Sequence, residues 1–392
     1  MKEVFIVSVK RTPIGGFLGV LSNYSATELG AIVVKEAFNT VNVEASQIDS
    51  VYMGNVLSAN LGQAPARQVA KYAGIPNETD STTINKVCSS GLKAASIAAQ
   101  QIQIGLEDLV IAGGMESMSN APHYTNLRKT TKLGNEQFID GLLKDGLTDV
   151  YNRLHMGNTA ELCVGKYKIS REQQDDFALA SYEKAALATK NGKLKNEVVP
   201  ISVKGKDGII LLTDDEDIFK VIPEKVSKLK PVFVEGGTIT AANASNLNDG
   251  AAALLLASKE AVEKHHLKPL AKIIAYADAS QAPEWFTTSP AVAITKALKQ
   301  AQLNINDIDY FEINEAYAAV VIANQQILNI PSGKTNIYGG AVAMGHPLGA
   351  SGARILCTLV SVLNQEGGNY GVAAICNGGG GATAMIIQNL MK

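Results

Sequence analysis

Short apolar runs with strand character alternate with segments of helical periodicity from the start of the chain to about residue 80. Residues 4–9 form a mostly apolar run, residues 29–38 place apolar side chains at the spacing of a helix face, and residues 51–54 form another short run. Strands that alternate with helices are typical of a sheet covered by helices. The pattern therefore predicts a layered α/β fold.

The same alternation returns after residue 270 and resembles the first part of the chain. A strand-like run leads to Cys88 and a helical segment over 92–103, and the glycine-rich stretch 337–345 leads to His346 and a helical segment over 350–362. A glycine follows both Cys88 and His346 three positions later. This correspondence predicts an old duplication, although such weak similarity also arises by chance between unrelated α/β units.

A polar and irregular stretch separates the two similar parts. A length of 392 residues exceeds what one hydrophobic core holds, so at least two packed units are expected. Excursions of this length in compact enzymes usually cover or bind something. We predict a first half over 1–118 with 250–270, an inserted domain over 119–249, and a second half over 271–392.

Composition excludes several classes of protein. Hydrophobic residues make up 46% of the chain and charged residues 18%, which favours a compact protein over a disordered one. The net charge is −2 with no basic stripe, which argues against nucleic-acid binding. No signal peptide is visible at residues 1–9, and every apolar stretch is far shorter than the ~20 residues of a membrane span.

The four cysteines indicate a reducing compartment. They stand too far apart for a disulfide framework, and none belongs to a C-x-x-C zinc pair. A soluble, cytoplasmic protein is expected.

Cys88 and His346 are candidate reactive groups, each at the start of a predicted helix. A thiol there faces the positive end of the helix dipole, which favours the nucleophilic thiolate. A histidine beside a thiol can take its proton, and Gly345 and Gly349 leave room around this imidazole. The alternatives are a small buried cysteine and a structural histidine that bonds a backbone carbonyl.

Two further residues fit the same chemistry. Cys376 precedes Asn377 and the glycines 378–381, whose unshielded N–H groups can face an oxyanion; a flexible turn is the alternative. Asn314 follows a strand-like run and could orient a water or an oxyanion, or could cap a helix.

Taken together, these residues stand in blocks that resemble, in order, the diagnostic segments of the thiolase family. The blocks are residues 11–15, 85–91, 113–118, 243–250, 314–317, 345–352 and 376–381. The resemblance covers essentially the whole chain. It implies a thiolase fold of two similar halves in a layered αβαβα core, with a loop domain for coenzyme A binding and tetramerisation, here residues 119–249, inserted in the first half.

The resemblance also implies roles for the candidate residues. Cys88 becomes acylated, His346 accepts its proton, and Cys376 is the acid/base for the second substrate. Asn314 positions a water in one oxyanion hole with His346, and the N–H groups of Cys88 and Gly378 form the other. The implied activity is a reversible ping-pong condensation of two acetyl-CoA molecules to acetoacetyl-CoA in lipid and ketone metabolism. No resident cofactor is expected, since coenzyme A enters with the substrate.

Within the family, the chain resembles the short-chain branch that forms acetoacetyl-CoA. In that branch a His-Met pair, here His155 and Met156, lies along the pantetheine arm. Ser245 resembles the serine that bonds pantetheine, Phe286 stands where the family narrows its acyl pocket, and Lys220 is near a basic position that meets the nucleotide. His155 as a plain surface residue is the alternative.

Some implied properties are left open. A potassium-activated relative has a loop that corresponds to Ala241, Ala242, Ala244 and Val342, but the tyrosine that helps hold its potassium has no counterpart around 217–220. No other metal is expected, although a zinc site built from the same cysteines and histidine is a competing interpretation.

Assembly and chain-length preference are open as well. Residues 120–137 resemble a tetramerisation hairpin, which predicts a homotetramer as a dimer of dimers. A degradative 3-ketoacyl-CoA thiolase of broader chain length, and a non-catalytic acyl-CoA carrier on the same fold, are the alternative functions.

Overall fold

The computed structural model describes residues 1–128, 132–205 and 208–391. Its strands are β1 (Val4–Arg11), β2 (Gly15–Gly16), β3 (Ser50–Gly54), β4 (Asp80–Ile84), β5 (Leu109–Ser117), β6 (His123–Tyr124), β7 (Ile139–Asp140), β8 (Ile201–Gly205), β9 (Gly208–Leu212), β10 (Asn248–Ser258), β11 (Ala271–Ser280), β12 (Tyr310–Ile313), β13 (Tyr370–Asn377) and β14 (Gly381–Asn389). Its α-helices are α1 (Ala26–Asn39), α2 (Pro65–Tyr72), α3 (Ser90–Gln103), α4 (Met156–Tyr167), α5 (Arg171–Lys190), α6 (Pro223–Val226), α7 (Lys259–Lys264), α8 (Ser289–Ala301), α9 (Ala318–Leu328), α10 (Ala341–Met344) and α11 (Leu348–Glu366).

The main sheet repeats one arrangement of strands on either side of its centre. Its order is β12-β13-β14-β11-β1-β10-β5-β3-β4, with β2 on β10. Outward from the centre, β1, β10 and β5 are successively antiparallel and β3 is parallel to β5. The strands β11, β14, β13 and β12 repeat that series of directions. The predicted duplication and the predicted fold class are confirmed.

Alternation of side chains along the strands separates the helix layers. On β10, Leu254 and Leu256 pack in the core that holds α3 and α11, whereas Leu255 and Ala257 pack in the core that holds α1 and α2. On the other half-sheet, the core on the outer face holds α8. The result is five layers, with α3 and α11 in the middle one.

Glycine allows α3 and α11 to cross with their backbones in contact. A Cβ on Gly91 would lie 2.7 Å from the amide nitrogen of Ala353, and one on Gly352 would lie 2.4 Å from that of Leu92. Both contacts are closer than real Cβ atoms approach. The crossing lies in the first turn of α3 and early in α11, so it brings the starts of the two helices together.

The inserted stretch, residues 119–249, is more regular than its sequence suggests. We read it as irregular, but it holds α4 and the 20-residue α5. Ser170 and Gln173 form a capping box at the start of α5, and Ala178 and Ala185 lie on its buried face. The polar face of this helix hides its periodicity in the sequence. The buried Arg11 ties the stretch to β1 through ion pairs to Glu197 and Asp215.

Two predictions about this region stay predictions. The proposed tetramerisation hairpin over 120–137 includes residues 129–131, which lie outside the described residues; on its flanks, β6 pairs with β7. The division at residues 118, 249 and 270 is likewise untested. In the described part of the chain, no helix combines the length and apolar character needed to cross a membrane.

Candidate active site

Cys88 stands on a tight turn between β4 and α3. Val87, immediately before it, has φ 49°, a left-handed conformation that is strained for a β-branched residue. The Ser90 hydroxyl holds the turn, since it accepts from the Lys86 N–H at 2.8 Å and donates to the Val87 carbonyl at 2.6 Å. Ser89 Oγ lies 2.8 Å from Asn377 Oδ1, which fixes the turn to the end of β13.

His346 stands on a corresponding turn before α11. Gly345 has φ 112°, and a Cβ there would lie 2.3 Å from the Asn248 side chain. The His346 N–H donates to Asn248 Oδ1 at 2.9 Å. His346 Nδ1 lies 2.6 Å from Ser351 Oγ, which donates its own proton to the Pro347 carbonyl at 2.8 Å. Nδ1 therefore carries the ring proton, and Nε2 has a free lone pair.

The environment keeps the His346 imidazole neutral. Burial, together with the nearby positive charge of Arg354, lowers its pKa to about 3. A neutral ring with Nδ1 bound to Ser351 can accept a proton on Nε2.

The resting Cys88 thiol is protonated. Burial raises its pKa to about 12, and Glu116 adds to the rise, while the backbone N–H groups of Gly378 and Cys88 act in the opposite direction. The expected effect of the helix start on the thiolate is opposed by loss of solvation, which acts more strongly than the two N–H groups. A thiolate at this position requires a proton acceptor.

Cys376 is a second thiol held in apolar surroundings. It is 1% exposed and packs in a cluster that includes Met156, Phe286 and Tyr317. Burial raises its pKa well above the usual value, and a negative charge on Cys88 would raise it further. As a thiolate, Cys376 is therefore a strong base.

The glycines after Cys376 form the turn between β13 and β14. Gly379 and Gly380 have φ 81° and 82°, and a Cβ on Gly380 would lie 2.4 Å from the Gln281 carbonyl oxygen. In this turn, the N–H of Gly378 points toward the Cys88 thiol. The backbone of the two halves thus converges on one sulfur atom.

Asn314 follows β12 and faces the imidazole of His346. Its Nδ2 lies 3.5 Å from both ring nitrogens of His346, and its Oδ1 lies 3.4 Å from Nη2 of Arg354. The alternative of a helix cap is wrong, since α9 begins at Ala318 with Tyr317 as its N-cap. The amide is oriented with its donor toward the histidine.

A cavity of about 310 Å³ brings most of the predicted site residues together. Its wall includes Cys88, His155, Met156, Ser245, Phe286, His346 and Gly378. Cys376 and Asn314 are not part of the wall, but each lies next to it: Cys376 packs in one cluster with Met156 and Phe286, and Asn314 faces His346. Lys220 does not line it, because its ammonium pairs with Glu216 and Asp217, each at 2.9 Å. Its role toward a nucleotide stays a prediction.

His155 is part of this wall and not a plain surface residue. Its ring stacks on Phe233 with 4.8 Å between centroids, and its Nδ1 accepts from the Gly157 N–H at 3.0 Å. The Nε2 atom therefore carries the ring proton and can donate it. Ser245 donates to the Ala316 carbonyl at 3.0 Å, which leaves its oxygen able to accept.

The contacts of the residues of the predicted potassium loop do not test cation binding. Ala241 and Ala244 line the cavity, and the Ala242 N–H donates to Thr240 Oγ1 at 3.3 Å. The Val342 N–H donates to Glu315 at 3.0 Å. Potassium binding stays a prediction.

Sequence reasoning missed several residues of the site. Ser351, Asn248 and Tyr317 lie inside the blocks that carry the resemblance, but nothing in the pattern assigned them a role. Their partners come from distant parts of the chain. Phe233 lies outside every block, and its stacking on His155 had no signal in the sequence.

Two family models match nearly the whole chain: "Thiolase, N-terminal domain" over residues 4–260 and "Thiolase, C-terminal domain" over 267–389. The chain belongs to the thiolase family. It is 53% identical to acetyl-CoA acetyltransferase 2 of Arabidopsis thaliana, over 99% of this chain and 98% of the relative.

Solved structures agree with that membership. The Ascaris suum thiolase Acat5, crystallised with coenzyme A, is 47% identical with a TM-score of 0.95, over 99% of this thiolase and 100% of that chain. The human mitochondrial 3-ketoacyl-CoA thiolase is 42% identical with a TM-score of 0.97, over 99% of both chains. The family resemblance inferred from the sequence is confirmed.

Proposed function

We propose that this thiolase is an acetyl-CoA C-acetyltransferase, which condenses two acetyl-CoA molecules reversibly to acetoacetyl-CoA and coenzyme A. The observation that carries the proposal is the meeting of Cys88, a neutral His346 and two backbone N–H groups at one cavity, with Cys376 buried behind it. The 53% identity to an acetyl-CoA acetyltransferase over both full lengths supports the substrate.

The first half-reaction transfers an acetyl group to Cys88. His346 Nε2 takes the Cys88 proton as the sulfur attacks the thioester carbonyl, and the N–H groups of Cys88 and Gly378 hold the oxyanion. Each such donor contributes roughly 3–4 kcal/mol to the transition state. The intermediate collapses to acetyl-Cys88, and the departing coenzyme A thiolate takes the proton of Cys376.

The second half-reaction uses the two charged groups that the first one forms, the protonated His346 and the Cys376 thiolate. The Cys376 thiolate, a strong base because of its burial, removes a methyl proton from a second acetyl-CoA. Protonated His346 and Asn314 Nδ2, directly or through a water, stabilise the enolate oxygen. The enolate attacks acetyl-Cys88, and the released Cys88 sulfur regains its proton from His346. All groups then hold the protons they began with.

The cavity supports a preference for short acyl chains. Phe286 and Tyr317 are nearly buried and close its inner end together with Met156. Extra methylene groups would need room that these side chains occupy, and rejection by such contacts is worth roughly 10- to 200-fold for each misfit group.

A degradative 3-ketoacyl-CoA thiolase of broader chain length is the second candidate, which the likeness to the human mitochondrial 3-ketoacyl-CoA thiolase favours. Thiolysis of acetoacetyl-CoA and of a 16-carbon 3-ketoacyl-CoA distinguishes the two. We expect kcat/KM for acetoacetyl-CoA to be higher by roughly 100-fold. Equal values for the two substrates would favour the degradative function. The same assays with and without potassium test the proposed cation loop.

The proposal extends to location and assembly. All four cysteines are free, which supports a reducing compartment, and we propose the cytoplasm. Leu127 within the predicted hairpin and Phe138 directly after it, 63% and 76% exposed, support a homotetramer. Light scattering on the purified protein tests the assembly, and a dimeric mass would contradict it.

A further inference from the structure

A buried guanidinium lies behind Asn314 and His346. Arg354 belongs to α11 and its side chain is 2% exposed. Its Nη2 lies 3.4 Å from Asn314 Oδ1, and its Nη1 lies 3.7 Å from Glu312 Oε2. In the described part of the chain, Nε and Nη1 find no hydrogen-bond acceptor.

Arg11, in the same protein, is a buried arginine whose three guanidinium nitrogens all have a close carboxylate partner. It is 1% exposed, its Nε lies 2.6 Å from Glu197, and Nη1 and Nη2 lie 2.7 Å and 3.1 Å from Asp215. A buried charge is costly unless close partners offset the loss of solvation. Arg354 has only the 3.7 Å pair with Glu312 and weaker attractions to Glu315 and Glu197, with no hydrogen bond to any of these carboxylates, so part of its charge acts on other neighbours.

Two of these neighbours are Asn314 and His346, the side chains that face the enolate in the proposed mechanism. The Arg354 charge attracts the carbonyl oxygen of the Asn314 amide, which turns the NH₂ group toward His346. The guanidinium also opposes a second positive charge on the imidazole, and it contributes to the low pKa of His346. A positive charge behind the pair favours negative charge in front of it.

We propose that Arg354 is a positioning residue for enolate formation, which holds the Asn314 amide with Nδ2 toward His346 and the substrate. This inference rests on the proposed function. It predicts a larger effect on enolate formation than on acyl transfer, because the oxyanion of acyl transfer is held by the backbone N–H groups of Cys88 and Gly378 and Arg354 reaches that step only through the basicity of His346.

The test compares the two half-reactions in Arg354→Met. Acetyl transfer to Cys88 is followed by quenched-flow mass spectrometry, and enolate formation by deuterium uptake at the methyl group of acetyl-CoA in D₂O. We expect deuterium uptake to fall by roughly 10- to 100-fold, less than the 100- to 1,000-fold loss of a direct oxyanion donor. Acetyl transfer should stay within about threefold of the parent protein.

A double-mutant cycle separates positioning from a merely structural role. If Arg354 acts through Asn314, adding Arg354→Met to Asn314→Ala should lower deuterium uptake by less than about threefold beyond Asn314→Ala alone. A full additional loss in the double variant would overturn the inference. An unchanged ratio of deuterium uptake to acetyl transfer in Arg354→Met would overturn it as well.

Two conservative variants keep the test decisive if Arg354→Met does not fold. Arg354→Lys keeps the charge but lacks the planar fork, so deuterium uptake should fall by roughly three- to tenfold, and a parent-like ratio would overturn the inference even if Arg354→Met does not fold. Arg11→Lys is the matched control, since it alters an equally buried arginine away from the cavity and should leave the ratio unchanged. A parent protein that never acylates Cys88 would instead overturn the proposed function.

Discussion

The two halves of the fold use the same backbone device to present different chemistry. Each places a residue with positive φ, then a reactive side chain, then a helix: Val87 and Cys88 before α3, and Gly345 and His346 before α11. In the second half glycine is required, since a Cβ would collide with Asn248. In the first half the valine accepts the strain while the hydrogen bonds of Ser90 hold the turn.

The two halves differ in how burial shifts the pKa of the reactive side chain that each one carries. Burial acts on both sites, but it raises the pKa of a thiol and lowers the pKa of an imidazole. Cys88 and His346 therefore both rest in the neutral form, and in the proposed mechanism they exchange a proton when a thioester binds. In that mechanism, equivalent positions supply a nucleophile and a base that differ only in the side chain.

Replacing Cys376 tests which half-reaction depends more on this thiol. Cys376→Ala should lower condensation by roughly 10⁴-fold, because the base for the carbon acid is gone, and should slow acetylation of Cys88 far less, because the coenzyme A thiolate leaves readily without its proton. Steady-state condensation and single-turnover acetylation measure the two steps. Condensation at the parent rate would remove the role assigned to Cys376.

Replacing His346 tests the neutral pair itself. His346→Ala should slow acetylation of Cys88 by roughly 10²- to 10³-fold, since no acceptor takes the thiol proton. The matched control is Ser351→Ala, which keeps the imidazole but frees Nδ1 and should slow acetylation less. If both variants acetylate at the parent rate, Cys88 loses its proton by another route.

The pH dependence of alkylation reports the pKa of Cys88. With that pKa at about 12, the thiolate fraction grows through the whole alkaline range. The rate of alkylation by iodoacetamide should rise about tenfold for each pH unit from 7 to 10, in the Cys376→Ala background. A plateau above pH 8.5 would mean that the helix start and the two N–H groups outweigh burial.

Replacing Gly345 has the smallest expected effect and tests the turn of the second half. Gly345→Ala combines a left-handed φ with a collision at 2.3 Å from Asn248, and should lower the free energy of unfolding by about 3 kcal/mol or more. Gly367→Ala is the control, because Gly367 has φ 79° but no atom near its Cβ position, and should cost about 1 kcal/mol. Denaturant unfolding compares them. Equal losses would show that the contact with Asn248 is not what requires glycine.

The sequence predicts the scaffold of this site better than its electrostatics. Local patterns identify Cys88, His346 and the glycines 378–381, because a helix start and a glycine run leave a signal within a few residues. The raised pKa of Cys88 depends on burial by distant segments, and no local pattern carries that information.

Contacts across long separations in the chain were also beyond prediction. Arg354 meets Asn314 forty positions away, and Phe233 stacks on His155 from a stretch that we read as irregular. The helices of that stretch were missed because their polar faces hide the periodicity of the buried side.

Peptide mapping after brief exposure of the protein to acetyl-CoA tests most directly which half carries the nucleophile. The acetyl group should be found as a thioester on Cys88, at one per chain in Cys376→Ala and at none in Cys88→Ala. An acetyl group that persists in Cys88→Ala, or that maps to Cys376 in the parent protein, would contradict the assignment of the nucleophile to the first half.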